Sequence, residues 1–511
     1  MPVVKMTKNK VLLFAPKPLD NDVKYPPYPV LSLAGFLLQE GYEVKIIHAS
    51  VDPDYPDKVA SFLDDSVVAV GITSMTGEQI KGGIEVAKAV RVKNPNVPIV
   101  WGGYHPSLMS KETCASEFAD IVVKGQGEVT FKELCNALRD GKPLENVSGI
   151  VFKKDGAIKE NADRPFQNLN NFPKIPWQLI DISKYINEHM EMGKRTMAYI
   201  TSQGCPFRCT FCAEPMVTKR RWSGIEAKRV VDDLEFLVKD YGVDSFIFSD
   251  SNFFTDRERT RAFCQEIVDR GLKIKWGEAN GRTENLVRYD DELWELMVKA
   301  GLYSILCGAE SGLPEALKII EKDATVEDTV KFAGKAAKYG VRVTFSFMIG
   351  LPGMDINKEM RNTTDLISKI NKIQTESKFK FHNRFFIYFY CPYPGTKLWG
   401  TALTYGFECP TDLQGWGDWT LDTRHCKWIP EGLDLKALRY IVKFAANAFE
   451  LPPSTAKKIK SNPLLHIGYK VGYKMLHTTA AVRLKYKFFD YPIEFAPIKK
   501  FAEAPSLRTV E

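Results

Sequence analysis

Short apolar runs alternate with amphipathic helical stretches along most of the chain. Val11 to Ala15, Glu43 to Ile47, Val67 to Ile72, Ile99 to Trp101 and Ile121 to Val123 read as strands. Between them, Val30 to Gln39, ended by Gly41, and Gly77 to Lys93 carry helical periodicity, as does Glu128 to Leu138 after the last strand. Strands alternating with helices predict an α/β domain over 1–150, a parallel sheet with helices on both faces. Ligands of such sheets lie beyond the carboxyl ends of the strands. Those ends carry Pro16, Thr73-Ser74-Met75, Gly102-Gly103-Tyr104-His105 and Gly125-Gln126-Gly127-Glu128.

Residues 151–195 read as a connector. Val151 to Ala162 predicts a hairpin around Lys154-Asp155-Gly156, and Asn168 to Trp177, rich in Asn and Pro, a crossing loop. A second α/β series follows over 196–391. Its expected strands are Ala198–Ser202, Ser245–Ser249, Ile274–Gly277, Ser304–Gly308, Arg342–Phe347 and Arg384–Tyr390. Helical patterns fall at 226–240, 256–270, 290–300, 325–338 and 356–373. Six βα steps predict a partial (β/α)6 barrel, with its chemistry at the C-terminal strand ends. Residues 392–453 form an extension with weaker periodicity and one helix at 434–450, and 454–511 a basic, aromatic tail.

The chemistry-bearing signal is Gly204-Cys205-Pro206-Phe207-Arg208-Cys209-Thr210-Phe211-Cys212, just after the first barrel strand. Its C-x-x-x-C-x-x-C spacing lets three thiolates of one loop converge on an iron–sulfur cluster. Three ligands leave one iron of a four-iron cluster open to a small chelating molecule. A zinc site with a distant fourth ligand and three core cysteines are the alternatives. Ten Cys in 511 residues are no disulfide framework. Cys391, Cys409 and Cys426 read as buried thiols or as holders of an auxiliary cluster.

On the Cys205/Cys209/Cys212 motif and its position, the sequence resembles the radical S-adenosylmethionine superfamily. The resemblance implies a [4Fe-4S] cluster whose open iron binds S-adenosylmethionine, and reductive cleavage to a 5′-deoxyadenosyl radical. It implies that Glu310, Ser311 and Arg282 contact S-adenosylmethionine, with Phe211 near the adenine. Asp250 and Asn252, at the end of the second barrel strand, are further cofactor-binding candidates; the competing reading of these positions is turn and cap chemistry.

Tyr25-Pro26-Pro27-Tyr28-Pro29, Gly71-Ile72-Thr73, Trp101-Gly102-Gly103-Tyr104-His105-Pro106 and Gly125-Gln126-Gly127-Glu128 extend the resemblance to the cobalamin-binding radical S-adenosylmethionine enzymes, over residues 10–430. The first domain is then a flavodoxin-like cobalamin domain, with Thr73, Ser74, Gly102, Gly103, Gly125 and Glu128 as candidate cobalamin contacts. The D-x-H-x-x-G motif that supplies an axial imidazole in many cobalamin proteins is absent. Neither His48 nor His105 has its spacing, so either cobalamin binds without a histidine ligand, as the resemblance allows, or the domain has lost cobalamin.

The implied activity is C-methylation of an unactivated carbon. The alternatives are radical ring formation, as in the anaerobic magnesium-protoporphyrin monomethyl ester cyclases, a non-enzymatic cobalamin carrier, and a membrane-bound scaffold. A flavodoxin or ferredoxin is the expected electron donor.

Composition refines the partner. Hydrophobic residues are 44% and charged residues 26%, an ordinary globular balance. Net charge is +7, and 454–501 carries ten basic and two acidic residues, a local +8 that leaves about −1 for the rest. Mixed with Leu464, Tyr469, Tyr473 and Phe488, this charge predicts a peripheral membrane surface or a helical cap rather than a nucleic-acid site. The substrate is accordingly expected to be hydrophobic: lipid, isoprenoid or porphyrin-like. No run of about 18 uncharged apolar residues predicts a transmembrane helix, and the run after Lys-rich Met1 to Lys10 is too short for a signal peptide. A cytoplasmic protein is expected.

Overall fold

The structure, a computed structural model, describes residues 9–18, 23–189, 191–379, 381–419, 426–430, 435–446, 459–489 and 494. The parts of the basic tail at 454–458, 490–493 and 495–511 lie outside the described residues.

The first sheet is built from β1 (Lys10–Ala15), β2 (Glu43–His48), β3 (Val67–Thr73), β4 (Ile99–Gly102) and β5 (Ile121–Val123). These run parallel in the order β2-β1-β3-β4-β5. That is the flavodoxin-like order, whose reversal beside β1 opens a crevice at the carboxyl ends. Val11 to Phe14 and Val67 to Val70 are buried throughout, as expected of strands covered on both faces. The expected hairpin forms as β6 (Ile150–Lys154) and β7 (Ala157–Glu160). It pairs antiparallel onto β5, so the first sheet has seven strands and runs past residue 150.

The barrel unit contains β8 (Asn187–His189), β9 (Gly193–Tyr199), β10 (Ser202–Gly204), β11 (Trp222–Gly224), β12 (Ser245–Phe248), β13 (Lys275–Gly277), β14 (Ala279–Gly281), β15 (Ser304–Glu310), β16 (Arg342–Ile349) and β17 (Arg384–Phe389). Two four-stranded sheets, β13-β12-β9-β8 and β14-β15-β16-β17, meet where Glu278 (φ 52°) interrupts a single extended strand. With β13 and β14 taken together, six parallel strands follow one another, a partial barrel. Antiparallel β8 flanks β9, and the helix Leu435–Ala445 lies beside β17, where Arg439 donates to the Ile387 carbonyl at 2.7 Å. Phe246, Phe248, Phe253, Phe254, Phe263 and Trp276 form the aromatic core between β12, β13 and the helix Arg257–Asp269.

The turn after β16, Gly350-Leu351-Pro352-Gly353, is held from below. Glu359, fully buried on the helix Ile356–Glu376, accepts hydrogen bonds from the backbone N–H groups of Gly350 (2.9 Å) and Leu351. Burial pushes its carboxyl up to about 7. The folded state therefore holds a proton that the unfolded chain releases near pH 4.5, so stability falls as pH rises from about 4.5 to about 7 and is level above. In urea unfolding, Glu359→Gln is expected to remove up to about 3 kcal/mol of that decline; an unchanged pH profile contradicts this assignment.

Candidate functional site

The three cysteines lie on a loop tied at both ends. On the entry side β10 pairs antiparallel with β11, and Gly204 must be glycine: its φ is 86° and a Cβ would lie 2.1 Å from the Arg221 carbonyl. In the middle, Thr210 N donates to Ile320 O (3.0 Å), Leu398 N donates to Thr210 O (2.8 Å), and Arg208 grips Asp323 at 2.7 and 3.0 Å. On the exit side a short helix begins at Glu214. Cys209 is buried, and Cys205 and Cys212 are half-buried. The three thiols interact electrostatically with one another, and burial pushes Cys205 up and Cys212 to about 12.

No three His, Cys, Asp or Glu side chains among the described residues are grouped as they would be around a single metal ion. A cluster in which each thiolate takes its own iron does not require that convergence. Three neighbouring thiols, held on one loop with a cation beside them, fit such a cluster.

That cation is Arg282. Its guanidinium donates to Cys209 Sγ at 2.9 Å and lies 3.9 Å from the Phe207 ring centroid. It also binds Glu284 and the Lys322 carbonyl. Burial opposes its charge, but Cys209 and Glu284 prevail and hold its pKa above the ordinary value. Lys322 is buried with Nζ 2.8 Å from Glu310 Oε1, and Glu310 sits at φ 61° where β15 ends. Thus Arg282, expected at the site, bonds the Cys209 thiol directly, and Glu310, also expected there, is linked to Arg282 by way of Lys322, which the sequence reading missed.

The remaining barrel candidates divide. Asn252 is buried, and neither atom of its side-chain amide has a partner. Asp250 instead accepts from Thr201 N and Oγ1 and from Ser202 Oγ, tying the first two strand ends together. Ser311 Oγ accepts from Leu313 N at 3.1 Å, a local turn just ahead of the helix Pro314–Ile319, which has no side-chain cap. Phe211 is half-buried against an apolar cluster that includes Leu317, Tyr390 and Leu398. Cys391 is half-buried, Cys409 exposed and Cys426 buried.

A cavity of 510 Å³ lies at the carboxyl ends of the first sheet and reaches the barrel. Thr73, Ser74, Gly102, Gly103, Gly125 and Glu128 all line it, as do Gly204 and Glu214 on either side of the cysteine loop. Gly103 (φ 97°) could not carry a Cβ, which would fall 2.7 Å from Ser74 O. The glycine thus lets two strand ends close on each other. His48 lines the cavity but shares its Nδ1 with Tyr185 Oη at 3.1 Å, whereas His105 is outside the lining, paired with Thr76 and packed on Trp416. Burial lowers both imidazoles, to about 4 and about 3.

Two polar links join the first domain to the loop. Gln203, on β10, donates to Glu128 Oε1 and accepts from Gln126 Nε2, both at 2.8 Å. Tyr104 donates to Glu214 Oε2, which also accepts from Ser251 Oγ at 2.9 Å. Burial raises the pKa of both Glu128 and Glu214. Gln203 and Glu214 carry no sequence signal of their own; Tyr104 was expected at a strand end of the first sheet, without its partner.

Residues 199–367 match the radical SAM superfamily and residues 22–135 the B12 binding domain. An uncharacterised methyltransferase of Pyrococcus horikoshii is 30% identical over 408 residues, 77% of this chain and 83% of that protein. The anaerobic magnesium-protoporphyrin IX monomethyl ester cyclase of Rubrivivax gelatinosus is 29% identical over 64% of this chain, which spans 59% of the cyclase. The cobalamin-dependent S-adenosylmethionine radical enzyme OxsB, solved with aqua-cobalamin and S-adenosylmethionine, superposes with a TM-score of 0.70 at 16% identity, over 98% of this chain and 76% of that one, a likeness of fold.

The chain belongs to the radical SAM superfamily, with a B12-binding domain ahead of the radical SAM domain. It is an enzyme, and its cofactors are a [4Fe-4S] cluster, S-adenosylmethionine and cobalamin. The cavity suits the last of these: it is large and mostly apolar, lies at the switch point of the sheet, and holds an unpartnered buried oxygen on Ser74.

Removing Glu310 strands the buried Lys322 charge. Glu310→Ala is expected to destabilise the barrel by about 3–5 kcal/mol, and the double replacement Glu310→Met/Lys322→Met by far less. Urea unfolding of the three proteins checks this; equal midpoints for Glu310→Ala and the native chain contradict it.

Proposed function

We propose that the protein transfers a methyl group to an unactivated carbon of a hydrophobic small molecule. The observation that carries the reading is the single cavity that touches both the strand ends of the first sheet and both flanks of the three-cysteine loop. Cys205, Cys209 and Cys212 would hold the cluster. Asn252, Arg282, Glu310, Ser311, Asp250 and Phe211 are the candidate surroundings of S-adenosylmethionine, and Thr73, Ser74, Gly102, Gly103, Gly125 and Glu128 those of cobalamin. Bound there, the cluster with S-adenosylmethionine supplies a carbon-centred radical, and cobalamin supplies methyl-group chemistry.

The chain's own residues position and exclude. Arg282 offers a fixed positive charge to Cys209, and Thr210 anchors the loop between barrel and extension. The Gln203 and Tyr104 links keep the first domain over the barrel mouth. We assign residues 1–150 to cobalamin, 196–391 to radical generation, 151–195 to their connection, 392–453 to the barrel's extension and 454–511 to surface attachment. Radical ring formation is the second reading, favoured by the cyclase relative.

An acidic one-electron carrier such as flavodoxin or ferredoxin is the proposed reductant. Lys219, Arg220 and Arg221, exposed a few residues beyond the cysteine loop, support that choice. Anaerobic reconstitution tests the core of the reading. Native protein should gain a broad absorbance near 400 nm (roughly where iron–sulfur charge-transfer bands lie) and release 5′-deoxyadenosine. The triple Cys205/Cys209/Cys212→Ala variant should do neither. Equal behaviour of the two proteins refutes the assignment.

The C-terminal helix Pro463–Tyr486 supports attachment of a cytoplasmic protein to an anionic membrane face. Tyr473, Leu476, Ala480 and Leu484 turn towards the helix Leu435–Ala445. Leu464 (81% exposed), Ile467, Val471, Met475 (67%), Val482 and Tyr486 form a second apolar stripe at helical spacing, accompanied by exposed Lys470, Lys474 and Lys485. None of the helices among the described residues is long and apolar enough to cross a membrane. The full chain should float with vesicles containing phosphatidylglycerol, and Leu464→Ser/Val471→Ser/Met475→Ser should float several-fold less; equal flotation counts against the attachment.

A further inference from the structure

Among the described residues lining the cavity, two buried side-chain oxygens have no partner. One is Ser74 Oγ on the first domain and the other is Glu214 Oε1 on the barrel. Glu214 is 6% exposed. Its other oxygen is occupied twice, by Tyr104 Oη from the first domain and by Ser251 Oγ beyond β12. Those two donors fix the carboxyl plane, and they leave Oε1 as an acceptor inside a mostly apolar cavity. A buried acceptor without a donor costs free energy, and a ligand that brings a donor recovers it.

The occupant of this cavity must offer an apolar body with hydrogen-bond donors on its rim. A corrin ring bears side-chain amides around such a body. We propose that Glu214 is a cobalamin contact supplied by the barrel, its Oε1 accepting an N–H from a corrin side-chain amide. This rests on the reading that cobalamin fills the cavity. It adds a contact from the cysteine loop's own exit helix, two residues after Cys212. The loop that carries the cluster therefore also grips the ring, and Tyr104 and Ser251 act as positioning residues that aim the carboxyl.

The test is equilibrium titration of anaerobically reconstituted full-length protein with hydroxocobalamin, followed by cobalamin absorbance. Glu214→Ala is expected to weaken binding by about 10- to 100-fold, and the isosteric Glu214→Gln by less. Dicyanocobinamide, which keeps the ring amides and lacks the nucleotide tail, should show the same ratio between native protein and variant. Iron content and S-adenosylmethionine affinity should match the native protein in Glu214→Gln, which separates loss of a ring contact from collapse of the loop. Native affinity for hydroxocobalamin in both variants overturns the proposal and assigns Oε1 to another occupant. If Glu214→Ala fails to hold its cluster, Glu214→Met, which keeps the volume and lacks the acceptor, decides, and native affinity there overturns it too. Failure of the native protein itself to bind hydroxocobalamin would instead remove the cobalamin reading beneath it.

Discussion

Everything in this structure is arranged around burying three thiols on one loop without letting the loop relax. Burial raises the pKa of Cys205 and of Cys212. Only positive charge close to the sulfurs makes such a site habitable for thiolates, and Arg282 is the protein's share of it. Because Arg282 is itself buried, it needs Glu284 and the Lys322 carbonyl, and Lys322 in turn needs Glu310. A hydrogen-bonded chain thus runs from the cysteine loop through Arg282 and the Lys322 backbone carbonyl to the Lys322–Glu310 pair at the end of β15, and each buried charge in it is costly without its own carboxylate.

The same loop organises the relation between the two units. Gln203 lies two residues before Cys205 and Glu214 two residues after Cys212, and each is held by the first domain. A flavodoxin-like sheet and a partial barrel could pack in many ways. Here two polar contacts bracket the cysteine loop and bring the open ends of both sheets to one cavity. Both units use the carboxyl ends of parallel strands, where their folds place ligands. Facing those ends together gives both units access to one cavity.

Much of this was legible in the sequence. All eleven expected strands of the two parallel series, from Val11 to Tyr390, appear in the structure, because buried parallel strands leave short uninterrupted apolar runs. The strand-end residues Thr73, Ser74, Gly102, Gly103, Gly125 and Glu128 all reach the cavity, since topology alone carries them there. Lys322, Gln203 and Glu214 were not legible, nor was the partner that strand-end Tyr104 takes. Their significance comes from pairings across 12 to 110 positions of sequence, which no local pattern encodes. The hairpin β6–β7 was expected as a hairpin, but its seat on β5 depends on an edge strand whose availability only the assembled sheet reveals. Asp250 and Ser311 show the reverse: strand-end polar residues whose side chains bind neighbouring backbone N–H groups.

The central claim is that cobalamin and the iron–sulfur cluster are neighbours across one cavity. Pulsed and continuous-wave electron paramagnetic resonance of the reduced holoenzyme, with cobalamin as cob(II)alamin and the cluster in its one-electron-reduced form, measures this directly. The account predicts dipolar broadening or splitting of the cobalt signal that vanishes in the triple Cys205/Cys209/Cys212→Ala variant. A cob(II)alamin spectrum identical with and without the reduced cluster would contradict it.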